Sequence, residues 1–100
     1  MNHPEVDQLI AERLLRERGA LVRNAALSAL SPRPVTPALL EAVERVASTS
    51  EDSQGRMEAV RLLARWVREA TSVRATLDKV ARTDAEPKVR EEARRVLERS

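Results

Sequence analysis

Apolar residues along this chain recur every three or four positions, and proline, glycine or a cluster of polar residues interrupts the pattern at intervals. This spacing is typical of amphipathic helices, and no segment alternates apolar and polar residues as a half-buried strand would. We therefore predict six helices and no strand. The first, second and fourth helices cover about residues 4–18, 20–30 and 52–70. The third begins at Pro37, the fifth is capped by Thr71 or Ser72, and the sixth begins at Pro87.

The same spacing predicts which side of each helix faces the core. In the fourth helix the apolar stripe includes Trp66, which favours core packing over an exposed indole that stacks on a base or anchors a partner. The predicted inward positions are Val6, Leu9, Ile10 and Leu14; Val22, Ala26, Ala29 and Leu30; Leu39, Leu40, Val43, Val46 and Ala47; Ala59, Leu62, Leu63, Trp66, Val67 and Ala70; Val73, Leu77, Val80 and Ala81; and Val89, Ala93, Val96 and Leu97.

Local signals mark the helix boundaries. Gly19 separates the first two helices, and two prolines make residues 31–35 a connector, because proline removes a backbone donor and disfavours helical geometry in its predecessor. Thr36 is predicted to be an N-cap, with Pro37 at the first helical position. The polar loop over residues 48–53 is predicted to end in a cap for the fourth helix.

A short pattern of arginine, alanine and leucine returns in the second, fourth and sixth predicted helices. Its alanines Ala26, Ala59 and Ala93 lie 33 and 34 residues apart, and residues 43–66 align without a gap on residues 77–100. Such a period is typical of repeat proteins, in which each unit buries its apolar face only by stacking on the next. We therefore predict a single domain over residues 1–100, with units at about residues 4–30, 36–69 and 71–99.

Composition narrows the classes of function. The chain has no cysteine and one histidine, which excludes disulfide frameworks, zinc knuckles and histidine-based catalytic triads. It has no glycine-rich phosphate loop, and the adjacent Glu91 and Glu92 point to different sides of a helix. We therefore expect no enzyme activity, no cofactor and no metal. Without a signal-peptide pattern or a long apolar run, a cytoplasmic location with no membrane contact is the expectation.

Residues 83–97, Thr-Asp-Ala-Glu-Pro-Lys-Val-Arg-Glu-Glu-Ala-Arg-Arg-Val-Leu, resemble the HEAT repeat signature. That pattern has an Asp after the first helix, a Pro in the turn, then Val-Arg and an Ala and a Leu in the second helix. The period is shorter than the usual HEAT length, and a short HEAT-like unit, as in the bilin-lyase-related branch, fits best. The resemblance implies an all-α fold, a right-handed α-solenoid of three antiparallel helix pairs.

The resemblance also implies a ladder in which the Asp and the Arg tie neighbouring repeats together. The last unit has the Asp as Asp84, and the Arg occurs in all three units as Arg23, Arg56 and Arg90. In the second unit Ser50 stands at the Asp position, and Gly55 replaces the Val. Asp52 is the alternative acid there, if the turn differs.

In HEAT-like proteins the second helices line the concave side, so the resemblance implies a binding surface on them. The leading hypothesis is a non-catalytic protein-interaction scaffold or adaptor that binds an acidic or amphipathic segment of another protein. The predicted partner-binding positions come from the repeat alignment and, for Arg65 and Arg68, from the stripe that they form with Arg61 on the fourth helix. They are Arg23, Leu27, Met57, Val60, Arg61, Arg65, Arg68, Arg94 and Arg95.

Two further hypotheses stay open. Nucleic acid could bind the stripe of Arg61, Arg65 and Arg68 together with the basic last unit, although the net charge of +2 is small for that role, and the plainer interpretation of the stripe is a solvated face balanced by Glu58 and Glu69. Alternatively, the ends of the stack could form a homodimer. The apolar residues available for that contact are Val6, Leu9 and Leu15 at one end and Val96 and Leu97 at the other.

Overall fold

Helices account for nearly all of the chain that the computed structural model describes, which comprises residues 4–16, 19–29 and 36–99. No strand occurs in these ranges, so the all-helical prediction is confirmed there. The predicted connector over residues 31–35 lies outside the described residues. The helices are α1 (Pro4–Arg16), α2 (Ala20–Ala29), α3 (Pro37–Thr49), α4 (Ser53–Trp66), α5 (Thr71–Thr83) and α6 (Pro87–Arg99).

The helices pack in two rows of neighbours. α3 lies between α1 and α5, and α4 lies between α2 and α6. The rows are joined where α3 packs on α4 and α5 packs on α6, whereas α1 and α2 hardly touch each other. The smallest dimension of the molecule is 17 Å, which matches two layers of helices at their usual separation of about 8–10 Å.

One apolar core runs between the two rows. Trp66 is only 2% exposed, which confirms its predicted place in the core. Each fully buried leucine or valine stabilises the fold by about 1.5–3 kcal/mol relative to an exposed one. The largest fully buried side chains are Trp66, Leu27, Leu39, Leu63, Leu77, Val43, Val60, Val73 and Val89.

The predicted inward face of the second helix is wrong in part. Val22 is 59% exposed and Ala29 is exposed, whereas Leu27 is buried. The reason is that α2 packs against α4 rather than against α1, which turns a different side of α2 toward the core. On α1, Leu14 is buried as predicted, but Leu9 is 65% exposed. The predicted core residue Leu30 lies outside the described residues.

The helix boundaries follow the local signals, with two corrections. Thr36 occupies the N-cap of α3 in an extended conformation, although its side chain makes no capping hydrogen bond. Asp52 caps α4 and accepts from the backbone N–H of Gln54 and Gly55. α4 ends at Trp66 instead of near residue 70, and Ala70, not Thr71 or Ser72, is the N-cap of α5. The helices that the structure describes include none that is both long and apolar enough to cross a membrane.

Candidate functional site

The apolar residues of the predicted binding surface on the second helices are not available to a partner. Val60 is completely buried and Leu27 is 1% exposed, so the prediction that they face outward is wrong. Met57 is half-buried and packs against the core. These positions are covered because α2 lies against α4 and α4 against α6, and each helix uses this side to meet its neighbour.

Arg56 acts as a tie between neighbouring units. Its Nε donates to Asp84 Oδ2 at 2.8 Å, and its Nη2 donates to Asp84 Oδ1 at 3.2 Å. Its Nη1 donates to the backbone carbonyl of Ser50 at 2.7 Å, within its own unit. Arg90 repeats this last contact one unit later, from its Nη1 to the carbonyl of Asp84 at 2.7 Å. These arginines therefore hold turns in place.

Between the first two units Asp52 pairs with the arginine, as Asp84 does between the second and third. Asp52 was the alternative acid named from the sequence. Arg23 Nη2 lies 3.7 Å from Asp52 Oδ2, and Asn24 Nδ2 donates to the same oxygen at 3.5 Å. A Cβ atom on Gly55 would lie 3.3 Å from each of Asn24 Oδ1, Asp52 Oδ2 and Ser50 Oγ. A side chain larger than that of glycine would therefore crowd these polar groups, and they would have to shift.

The exposed arginines divide into two groups. Arg61 pairs with Glu58 at 3.3 Å and Arg95 pairs with Glu92 at 3.4 Å, each one helical turn away. Such exposed pairs contribute about 0–1 kcal/mol, but they do offset the charge. By contrast, six exposed arginines have no side-chain hydrogen bond or ion pair to any residue in the described ranges. They are Arg13, Arg16, Arg65, Arg68, Arg94 and Arg99.

Three of these unpaired arginines line one groove. The groove has a volume of about 340 Å³ and lies between the C-terminal end of α4, with the turn that follows it, and the C-terminal half of α6. We call it the arginine groove. Its lining residues are Ala64, Arg65, Val67, Arg68, Val96 and Arg99.

Arg99 was not among the predicted binding residues, although the repeat carried a signal for it. Arg99 lies 34 residues after Arg65, so the two arginines occupy the same position in successive units. Each lies in the last turn of its helix, where the partial negative charge of the helix dipole favours a cation. The stacking of α4 beside α6 brings the two arginines to one groove, and Arg68 joins them from the turn after α4.

Two other kinds of candidate site are weaker than the arginine groove. A second groove of about 230 Å³ is lined by Arg56 and Asp84, which already bind each other. No three His, Cys, Asp or Glu side chains come together as metal ligands within the described ranges, and His3 lies outside them. No family model, curated protein or solved structure matches this chain.

Proposed function

We propose that this protein is a non-catalytic interaction module that binds an acidic, amphipathic segment of another protein in the arginine groove. The observation that carries the proposal is the set of Arg65, Arg68 and Arg99, which have no acidic partner in the described part of the chain and line one groove together with three apolar residues. A planar guanidinium binds a carboxylate through two parallel hydrogen bonds, so three of them favour a segment rich in Asp or Glu.

The apolar residues of the groove would bind an apolar side chain of the partner. They are Ala64, Val67 and Val96, which line the groove together with the arginines. A large apolar side chain of the partner would cover these residues and displace water from them. A few well-packed anchor residues supply most of the binding energy in protein interfaces, while charged residues at the rim contribute orientation and association rate.

The arrangement of the helices supports a scaffold built as a short HEAT-like α-solenoid. The rows α1, α3, α5 and α2, α4, α6 follow the order of the predicted units, and the period of 33 to 34 residues agrees with it. Stacks of this kind expose a continuous surface on which partners bind. The arginine groove lies between the second helices of two successive units, which is the surface that the resemblance pointed to.

A protein segment fits the groove better than nucleic acid does. Base stacking needs exposed aromatic side chains, and the chain has a single tryptophan, which is buried, and no tyrosine or phenylalanine. Arg61, which the nucleic-acid hypothesis used, is paired with Glu58. The net charge is only +2.

A selection from a library of random displayed peptides tests the chemistry directly. We expect the wild-type protein to enrich peptides that combine Asp or Glu with one or two large apolar residues. The variant with Arg65→Glu, Arg68→Glu and Arg99→Glu should lose this enrichment. The matched control carries Arg61→Glu, Arg82→Glu and Arg95→Glu, which change the net charge equally at arginines that pair within their own helices.

The outcomes separate the hypotheses. Equal enrichment by the groove variant and the control would overturn the proposed site. Affinity for the enriched peptides should fall only modestly between 50 and 200 mM salt, because part of the binding is apolar, whereas nucleic acid binding falls by about 10³–10⁵ over this range for six to ten phosphate contacts. Binding to an oligonucleotide with that steep dependence, and none to peptides, would establish the nucleic-acid alternative instead.

A further inference from the structure

The outer side of the first unit exposes apolar positions whose equivalents in the second unit are buried. Leu9 and Val22 are the two large apolar residues that are exposed among those whose side chains the structure describes. In the second unit the equivalent positions are Ala42 and Gly55, which are buried. In the third unit they are Thr76, which is half-buried, and Val89, which is 1% exposed. A preceding unit covers these positions in the second and third units, and the described chain has none that covers the first. We call the surface of Leu9, Arg13 and Val22 the outer face.

The opposite end of the molecule is built differently. The position that is buried as Leu27 and Val60 in the first two units is the exposed Arg94 in the third. The half-buried Met57 is likewise replaced by the exposed Glu91. Charged residues thus stand where a following unit would need apolar ones. Apolar self-association therefore has one end available to it, the outer face of the first unit.

The outer face is concave. Since α1 and α2 pack on α3 and α4 instead of on each other, a groove of about 150 Å³ remains between them. Its exposed surface is almost entirely apolar. The lining residues are Ile10, Arg13, Leu14, Val22, Arg23 and Ala26.

Arg13 restricts what covers this face. It occupies the position of the buried Val46 and Val80 in the next two units, and it is itself exposed. Another unit of the same type would press apolar side chains against the Arg13 guanidinium and remove it from water without a partner, which costs several kcal/mol. The covering surface must therefore bring a carboxylate to Arg13 as well as apolar groups.

A second copy of the chain meets this requirement. Glu5, Leu9 and Arg13 are all exposed and lie four residues apart, so they share one side of α1. Neither Glu5 nor Arg13 has an ion pair with another described residue. If two α1 helices pack antiparallel with their Leu9 residues at the two-fold axis, Glu5 of each copy lies opposite Arg13 of the other. The stripe is complementary to itself, as a two-fold symmetric interface requires.

We infer that two copies of this chain associate through the outer face, with the α1 helices antiparallel about Leu9. In this contact Leu9 and Val22 are removed from water, and two ion pairs between Glu5 and Arg13 fix the register of the helices. This interface lies at the first unit, away from the arginine groove between α4 and α6, so a dimer leaves both copies of that groove open to a partner.

Sedimentation velocity over a range of protein concentrations tests the interface. The wild type should convert from monomer to dimer as concentration rises, and Leu9→Asp should stay monomeric. Glu5→Arg alone and Arg13→Glu alone should each raise the dimer dissociation constant about tenfold or more, because each creates two like-charge contacts per dimer. The double variant Glu5→Arg, Arg13→Glu should recover the wild-type constant.

All of these substitutions are at exposed positions, so circular dichroism should show unchanged helix content and melting. A wild-type protein that stays monomeric at millimolar concentration would overturn the inference. If the wild type dimerises but the double variant has a dimer dissociation constant as high as those of the single variants, the antiparallel register is wrong. The arginine groove variant should dimerise normally, so failure of the proposed binding function and failure of this interface are observed separately.

Discussion

Arg56 and Asp84 form a two-point ion pair between the second and third units. The Nε and Nη2 atoms of Arg56 reach the two carboxylate oxygens at 2.8 and 3.2 Å, and the Asp84 side chain is only 4% exposed. Asp84 Oδ1 also accepts from the backbone N–H of Glu86, and its carbonyl accepts from Arg90. The start of α6 thus depends on a side chain of α4, and the last two units are tied by polar contacts as well as by apolar packing.

Substitution of Arg56 should therefore destabilise the whole fold. We expect Arg56→Met to lower the free energy of unfolding by about 3 kcal/mol, because the change leaves the Asp84 carboxylate buried without its cation. Urea denaturation followed by circular dichroism measures this. Arg82→Met is the matched control, since Arg82 pairs with Asp78 on the surface and its loss should cost less than about 1 kcal/mol. Equal effects of the two substitutions would show that the Arg56 pair is not a structural tie.

Capping of α4 by Asp52 gives a second prediction. Asp52 accepts from the Gln54 and Gly55 N–H groups and also meets Arg23, so Asp52→Ala should cost about 1–2 kcal/mol of unfolding free energy. Thr36→Ala should cost clearly less, because the Thr36 side chain makes no capping bond at α3. Thermal melts of the two variants test the comparison. A larger loss at Thr36 than at Asp52 would contradict it.

At Gly55 we predict that the residue found at the equivalent position of the third unit is unfavourable. Although the third unit has valine at this position, Gly55→Val should destabilise the protein by about 1–3 kcal/mol, since even a Cβ atom meets three polar side-chain atoms at 3.3 Å. Asn24→Ala removes one of those atoms and should lessen the penalty. A double-mutant cycle in urea measures the coupling. Additive effects would mean that Asn24 does not crowd this position.

The burial of Trp66 is directly observable by fluorescence. We expect blue-shifted emission with little quenching by iodide in the native protein, and strong quenching after denaturation. Trp66→Ala should cost about 3–5 kcal/mol through the cavity that it leaves. An emission spectrum like that of free tryptophan in the native protein would contradict the position of this side chain in the core.

Much of the fold was predictable because its causes are local. A residue's neighbours at three and four positions along a helix are the same in any fold, so the spacing indicated the six helices and the buried side of α3 to α6, including Trp66. Asp52 and Pro37 act within one helical turn, and their positions at helix starts followed from residue type alone.

Contacts between units decided what local spacing left open. In α2, leucines and valines occur on several sides of the helix, and only its packing on α4 buried Leu27 and left Val22 exposed. The arginine groove arose in the same way, because Arg65 and Arg99 are 34 residues apart and come together only when α4 lies beside α6.

The sequence by itself therefore determined the helices, the starts of α3 and α4, and most core positions of the second and third units, with Val60 as an exception, since these depend on interactions within one or two turns. The tertiary structure alone decided which end exposes apolar side chains, which acid Arg23 meets, and which arginines keep an unbalanced charge. Those properties depend on which units are neighbours, and the sequence of one helix does not show which other helix packs against it.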